Sequence, residues 1–142
     1  ACAVSDFRSS YTGETKFPLI LQNVHRYFFF LALPFPIILF YDALRAFRFE
    51  GEFGMGLGTL ILLANAVLLG LYTLSCHSCR HLVGGGTNLL SQAPIRRRLW
   101  GLSTRLNARH MQYAWISLFG VLIADLYVRL LANGVFSDPR FF

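Results

Sequence analysis

The sequence predicts an all-α integral membrane bundle of three transmembrane helices, over about 18–47, 57–81 and 110–133. Three observations predict it. Apolar residues fill 55% of the 142 positions and charged residues only 14%, more apolar surface than a water-soluble chain of this length can bury. The mean hydropathy is +0.50, and Phe alone occurs 14 times, a load suited to lipid-facing and interfacial positions. Hydropathy windows reach the roughly 20 residues that a helix needs to cross the hydrocarbon core, which outweighs the reading as a soluble bundle.

The first helix rests on the uncharged run from Tyr27 to Tyr41, between Arg26 and Asp42, extended on its N-terminal side by Phe17 to Val24. Pro34 and Pro36 are expected to kink it, since each removes a backbone donor and neighbouring helices or waters satisfy the freed carbonyls. The second helix is the clearest: no charge occurs from Phe53 to Cys79, with a start near Leu57. Gly54 and Gly58 have the small-xxx-small spacing of a helix contact, a weak signal for a single pair. The third runs from His110 to Ala124 and on past Asp125 and Arg129 to about Asn133. That acid and base are four apart, share a helix face and can pair.

Three crossings put the start of helix one, the end of helix two and the start of helix three on one side. Arg8, Lys16, Arg26, Arg80, Arg96, Arg97, Arg98, Arg105 and Arg109 lie there with Asp6 and Glu14, a net +7. Arg45, Arg48, Arg129 and Arg140 lie on the other side with the five remaining acids, a net −1. Cytoplasmic loops hold the excess of Lys and Arg, so the N-terminus and the loop over 82–108 are expected on the cytoplasmic side of the plasma membrane. The chain reads as a single membrane-anchor domain over 1–142. It starts at Ala1 with no signal-peptide pattern, and a processed or incomplete chain is expected.

Within the loop, Gly84, Gly85, Gly86, Asn88 and Pro94 precede the basic run Arg96 to Arg98. The glycines read first as a helix stop. A phosphate loop is not expected, because the Lys-Ser/Thr pair and the preceding strand are missing. The basic run reads as a topology signal and a contact for anionic membrane lipids, with docking of an acidic partner as the alternative. No nucleic-acid partner is expected.

Three cysteines, two of them at Cys76 and Cys79 beside a helix end, argue against a disulfide framework and for a metal site or free thiols. Cys76, His77, Cys79 and His81 crowd the inner end of helix two. The topology brings His25 and His110 to the same depth, each beside an arginine that fixes its level at the interface. Interfacial histidines are common and a membrane cysteine is often a small apolar side chain, but two thiols and four imidazoles at one face stand out in a chain poor in such groups.

On a regular helix Cys76 and Cys79 are about 60° apart, whereas His77 and His81 point toward the opposite face. The remaining metal ligands are then His25 and His110, with His81 as an alternate if the helix unwinds at Cys79 and His77 if it unwinds earlier. Two thiolates and two imidazoles suit a Rieske-type 2Fe–2S cluster or a tetrahedral zinc. A structural zinc adds little to a fold that the bilayer already supports. A rival chemistry uses His25 and His110 to clamp a haem b iron from both sides, leaving the cysteines without a role. A non-redox transport or assembly subunit is the remaining reading, with Asp125 as its intramembrane acid.

The segments Asn23-Val24-His25-Arg26-Tyr27-Phe28-Phe29, Ser75-Cys76-His77-Ser78-Cys79-Arg80-His81 and Arg105-Leu106-Asn107-Ala108-Arg109-His110 resemble the membrane-anchor subunit of actinobacterial, mycobacterial-type succinate dehydrogenase. The resemblance implies a membrane-embedded Rieske-type 2Fe–2S cluster in place of haem, with Cys76, Cys79 and two nearby histidines as ligands. It implies a flavoprotein and an iron–sulfur subunit as partners and quinone as the electron acceptor, with no succinate site on this chain. Anchors of that family can be longer, with five helices. A quinone needs an apolar slot and donors for its two oxygens. Ser78, Arg80, Trp100, Arg105 and Tyr113 lie at the right level, although each also suits an interface anchor.

Overall fold

The computed structural model describes residues 17, 19–49, 51–85 and 89–142. Arg8, Lys16, Asp6, Glu14, Gly86 and Asn88 lie outside the described residues. The elements in chain order are α1 (Leu19–Ala32), α2 (Pro34–Arg45), β1 (Arg48–Phe49), β2 (Glu52–Phe53), α3 (Leu57–Leu74), α4 (His77–Gly84), a 3-10 turn (Leu90–Gln92), α5 (Pro94–Asn107) and α6 (His110–Ala132). Three stretches are long and apolar enough to cross a membrane: Val24–Arg45, Leu57–Leu74 and His110–Ala132. Their apolar side chains stay outside. Phe35, Ile37, Trp115, Leu118 and Leu122 are all more than half exposed, which water would not tolerate over such lengths and lipid favours.

The helices are interrupted in ways that periodicity alone does not give. The expected helix over 18–47 is divided at Leu33. Pro34 has no N–H to continue α1, but its fixed φ suits the first position of α2. The chain leaves α2 at Arg45 into a hairpin pairing Arg48 with Phe53 and Phe49 with Glu52, turned through Gly51 at φ 95°. The expected helix over 57–81 is also divided: α3 stops at Leu74, and Cys76 is extended at φ −63° and ψ 142° before α4 begins. The expected loop over 82–108 holds the end of α4 and all of α5, where Pro94 starts the helix from its first turn.

The chain forms two compact units. In the first, made of the segment up to Leu33 and Thr73–His110, α4 packs on α1 and α5. Phe29, Cys76 and Cys79 are buried together, with Leu33 against them. Every charged side chain described in this unit is an arginine.

The second unit comprises Pro34–Tyr72 and Met111–Phe142. Small residues let α3 and α6 approach: a Cβ on Gly120 would lie 3.1 Å from Leu68 Cδ1, and Ala66, Ser117 and Ala124 are buried. The C-terminal segment pairs with the residues before α3, Leu57 N donating to Pro139 O at 2.9 Å and Phe141 N to Met55 O at 2.8 Å. Asp138 accepts from Gly58 N at 2.9 Å and from the Tyr127 hydroxyl. Gly58 therefore admits Asp138 and Tyr127, each within 3.1 Å of where its Cβ would stand.

Candidate metal centre

The site starts from the break between α3 and α4. Cys76 is the N-cap of α4, and its Sγ accepts from Ser78 N at 3.4 Å, satisfying one of the orphan donors of the helix start. The extended backbone at Cys76 releases the chain from the phase of α3. The thiol therefore faces α1, and His77 comes with it. His25 Nε2 lies 3.2 Å from Cys76 Sγ, and His77 Nδ1 lies 4.0 Å from the same sulfur. The His25 and His77 rings stack with centroids 5.1 Å apart and planes at 22°. The ligand atoms of His25, Cys76 and His77 all fall within 4.8 Å of one another. Ligands at ordinary metal bond lengths around one tetrahedral ion stand roughly 3.3–3.8 Å apart, so small shifts bring this group onto a metal.

Cys79 is one turn further along α4, buried in the same cluster as Cys76 and Phe29. Burial pushes its thiol above the ordinary range, a hydrogen bond with Ser103 works in the opposite direction, and the nearby Cys76 adds to the rise. Neither cysteine is in a disulfide.

His110 and His81 have other surroundings. Ser75 Oγ and His110 Nδ1 are 2.8 Å apart, tying the start of α6 to the helix break. His81 sits in the last turn of α4 against Gly85, where a Cβ would stand 3.2 Å from His81 Nε2. The structure thus brings His25, His77 and Cys76 into one group and places His110 on Ser75.

One face of α5 holds this arrangement. Asn107 Nδ2 donates to Ser75 O at 2.9 Å, covering a carbonyl that the end of α3 leaves open. Ser103 reaches Cys79. Arg80 Nε donates to Thr104 Oγ1 at 3.0 Å, and its guanidinium lies over the Trp100 ring at 4.8 Å. Arg96 donates to Val83 O at 2.9 Å and to Gly85 O at 2.7 Å, closing the C-terminal end of α4. Ser75, Ser103 and Asn107 are the supporting residues that sequence reasoning does not single out. Their signal is present as helical spacing, Arg96, Trp100, Ser103 and Asn107 recurring at four, three and four residues.

Of the expected quinone residues, Arg80 and Trp100 meet where α4 and α5 pack, and Ser78 is buried on α4. Ser78 Oγ and Trp100 Nε1 are buried without a hydrogen-bond partner among the described residues. Arg105 is about 140° around α5 from Trp100, on the exposed side. Tyr113, half-buried, belongs to the second unit.

Fold and site together define a helical, multi-pass membrane subunit with a His/Cys group able to hold a metal. Residues 1–134 match the family model described as actinobacterial succinate dehydrogenase subunit SdhC. Among solved structures, the chain is similar to a chain of the Mycobacterium smegmatis Sdh1 complex in the apo form, with 50% sequence identity and a TM-score of 0.80. The likeness covers 100% of this chain and 54% of that one, so this chain spans about half the length of its relative. No match was found among curated proteins. The chain belongs to the actinobacterial succinate dehydrogenase SdhC family.

Proposed function

We propose that this chain is the membrane-anchor and electron-transfer subunit of a succinate:quinone oxidoreductase, holding a Rieske-type 2Fe–2S cluster through Cys76, Cys79, His25 and His77. The observation that carries the reading is the convergence of His25, Cys76 and His77 beside the buried Cys79 at the α3–α4 break. Two thiols and two imidazoles with no carboxylate among them match the ligand set of such a centre. His110, which regular helical phase favours as a ligand, is engaged by Ser75 in this arrangement and is proposed as a positioning residue. When bound, the cluster supplies one-electron transfer between an iron–sulfur subunit and quinone.

The protein's own residues do the rest. Phe29 and Leu33 keep water from the thiols. Ser103 holds Cys79 through its hydroxyl, and Asn107 holds the backbone from which Cys76 projects. Ser78 Oγ and Trp100 Nε1 are buried donors left over by the protein's own bonding, as donors to quinone oxygens would be. Arg80 fixes the Trp100 ring from above. The excess of arginine in this unit supports a cytoplasmic site, with the iron–sulfur subunit and its flavoprotein partner docking on that side.

The test is the optical and EPR spectrum of the purified, dithionite-reduced complex. The expected result is a 2Fe–2S signal with the lowered mean g value that imidazole ligation gives, carrying nitrogen hyperfine couplings. A strong Soret band in its place would establish the haem reading. Zinc without either spectrum would establish a structural metal, and no bound metal or haem would leave a non-redox membrane subunit.

A further inference from the structure

Helix α5 is built inside out. Its polar residues Arg96, Ser103, Thr104 and Asn107 bond to the protein. Ile95, Leu99 and Leu102 face outward, 74%, 48% and 54% exposed. These three are spaced four and three apart and fall within about 60° of one another, one continuous apolar stripe. An outward stripe of this kind needs an apolar environment.

Beside the stripe runs a groove of about 530 Å³, lined by Ser91, Arg97, Arg98, Gly101, Leu102 and Arg105 among others. No carboxylate lines it among the described residues. Leu102 of the apolar stripe lines the groove together with Arg97, Arg98 and Arg105, so guanidiniums and hydrocarbon meet there. The bonds that hold Arg96 to Val83 and Gly85 do not extend to Arg97, Arg98 or Arg105. Three like charges crowded around a concave surface repel one another unless an anion lies between them.

We infer that this groove binds the phosphate headgroup of an anionic phospholipid, with the acyl chains lying along Ile95, Leu99 and Leu102. Charge complementarity selects an anion, and the adjoining stripe selects one that carries hydrocarbon. Planar guanidiniums suit the paired oxygens of a phosphodiester. Gly101 leaves room for the headgroup between the arginine side chains. The site does not depend on the redox centre proposed above.

The test titrates cardiolipin against the complete, detergent-purified complex by native mass spectrometry, with inorganic phosphate as competitor. The Arg97→Gln/Arg98→Gln/Arg105→Gln variant is expected to bind cardiolipin roughly a hundred-fold more weakly, at the general worth of an arginine near an anionic surface. The Arg→Lys counterpart at the same positions, which keeps the charge, is expected to retain most of the affinity. If the Gln variant does not assemble, Arg98→Gln alone is read in its place, with a loss of roughly five-fold expected. Unchanged cardiolipin affinity in the Gln variant would overturn the inference. Equal binding of inorganic phosphate would reduce the groove to a small-anion site. Loss of a partner subunit with lipid binding intact would make it a protein interface.

Discussion

The two units divide the chemistry of the chain unequally. In the first, every charged side chain among the described residues is an arginine, and all four histidines are present together with Cys76 and Cys79. Its helices are interrupted, and side chains of α5 bind the loose ends. The second has most of the apolar length of the spans, and its carboxylates Asp125 and Asp138 are paired: Asp138 with Gly58 and Tyr127, Arg129 with Asp125 at 2.7 Å. Metal chemistry needs donors held away from competing partners, and among the described residues the first unit gathers them. Holding the half-buried Asp138 carboxylate against a backbone N–H and a hydroxyl stabilises structure.

Substitutions that move the metal signal in one unit and leave it alone in the other would sharpen this contrast. Cys76→Ala has the largest expected effect, complete loss of the Rieske-type EPR signal in the purified complex; a retained signal would place the centre elsewhere. Asn107→Ala removes the bond to Ser75 O and leaves that carbonyl without its side-chain donor, at a cost of about 1–3 kcal/mol. Iron and labile sulfide per complex should fall several-fold without vanishing. Asp138→Asn in the second unit should lower the stability of the chain by about 2 kcal/mol, seen as a lower thermal unfolding midpoint, while the EPR line shape stays the same. A changed line shape would mean that the units are not separable in function. Asp125→Asn should have the smallest effect on both readouts, because the Asp125–Arg129 pair is exposed and local.

The three spans are legible in the sequence because an apolar run with few charges, long enough to cross a bilayer, is hard to bury in a chain of this size by any other means. Pro34 announces its break, and the excess of arginine around the metal-ligand residues is written in their neighbours Arg26, Arg80 and Arg109. The division at Ser75–Cys76 is not legible. Neither residue is a Gly or Pro, and a cysteine is an unusual N-cap, so the helix reads as continuous through His81. That reading puts His77 on the wrong phase to face His25, whereas the extended Cys76 resets the phase. Helix α5 is hidden by its composition: arginines dominate it, and Arg96, Ser103 and Asn107 face inward while Ile95, Leu99 and Leu102 face outward, which blurs the pattern that marks a soluble amphipathic helix. Pro94 is its one conventional signal.

Everything proposed for the metal centre turns on whether the α3–α4 break selects His77 with His25. The decisive comparison is between the EPR spectra of reduced complexes carrying His77→Ala and His110→Ala, prepared side by side. With the helix broken at Cys76, the Rieske-type signal and its nitrogen couplings disappear in His77→Ala and survive in His110→Ala. Survival in His77→Ala with loss in His110→Ala would contradict this assignment and return the site to an unbroken helix.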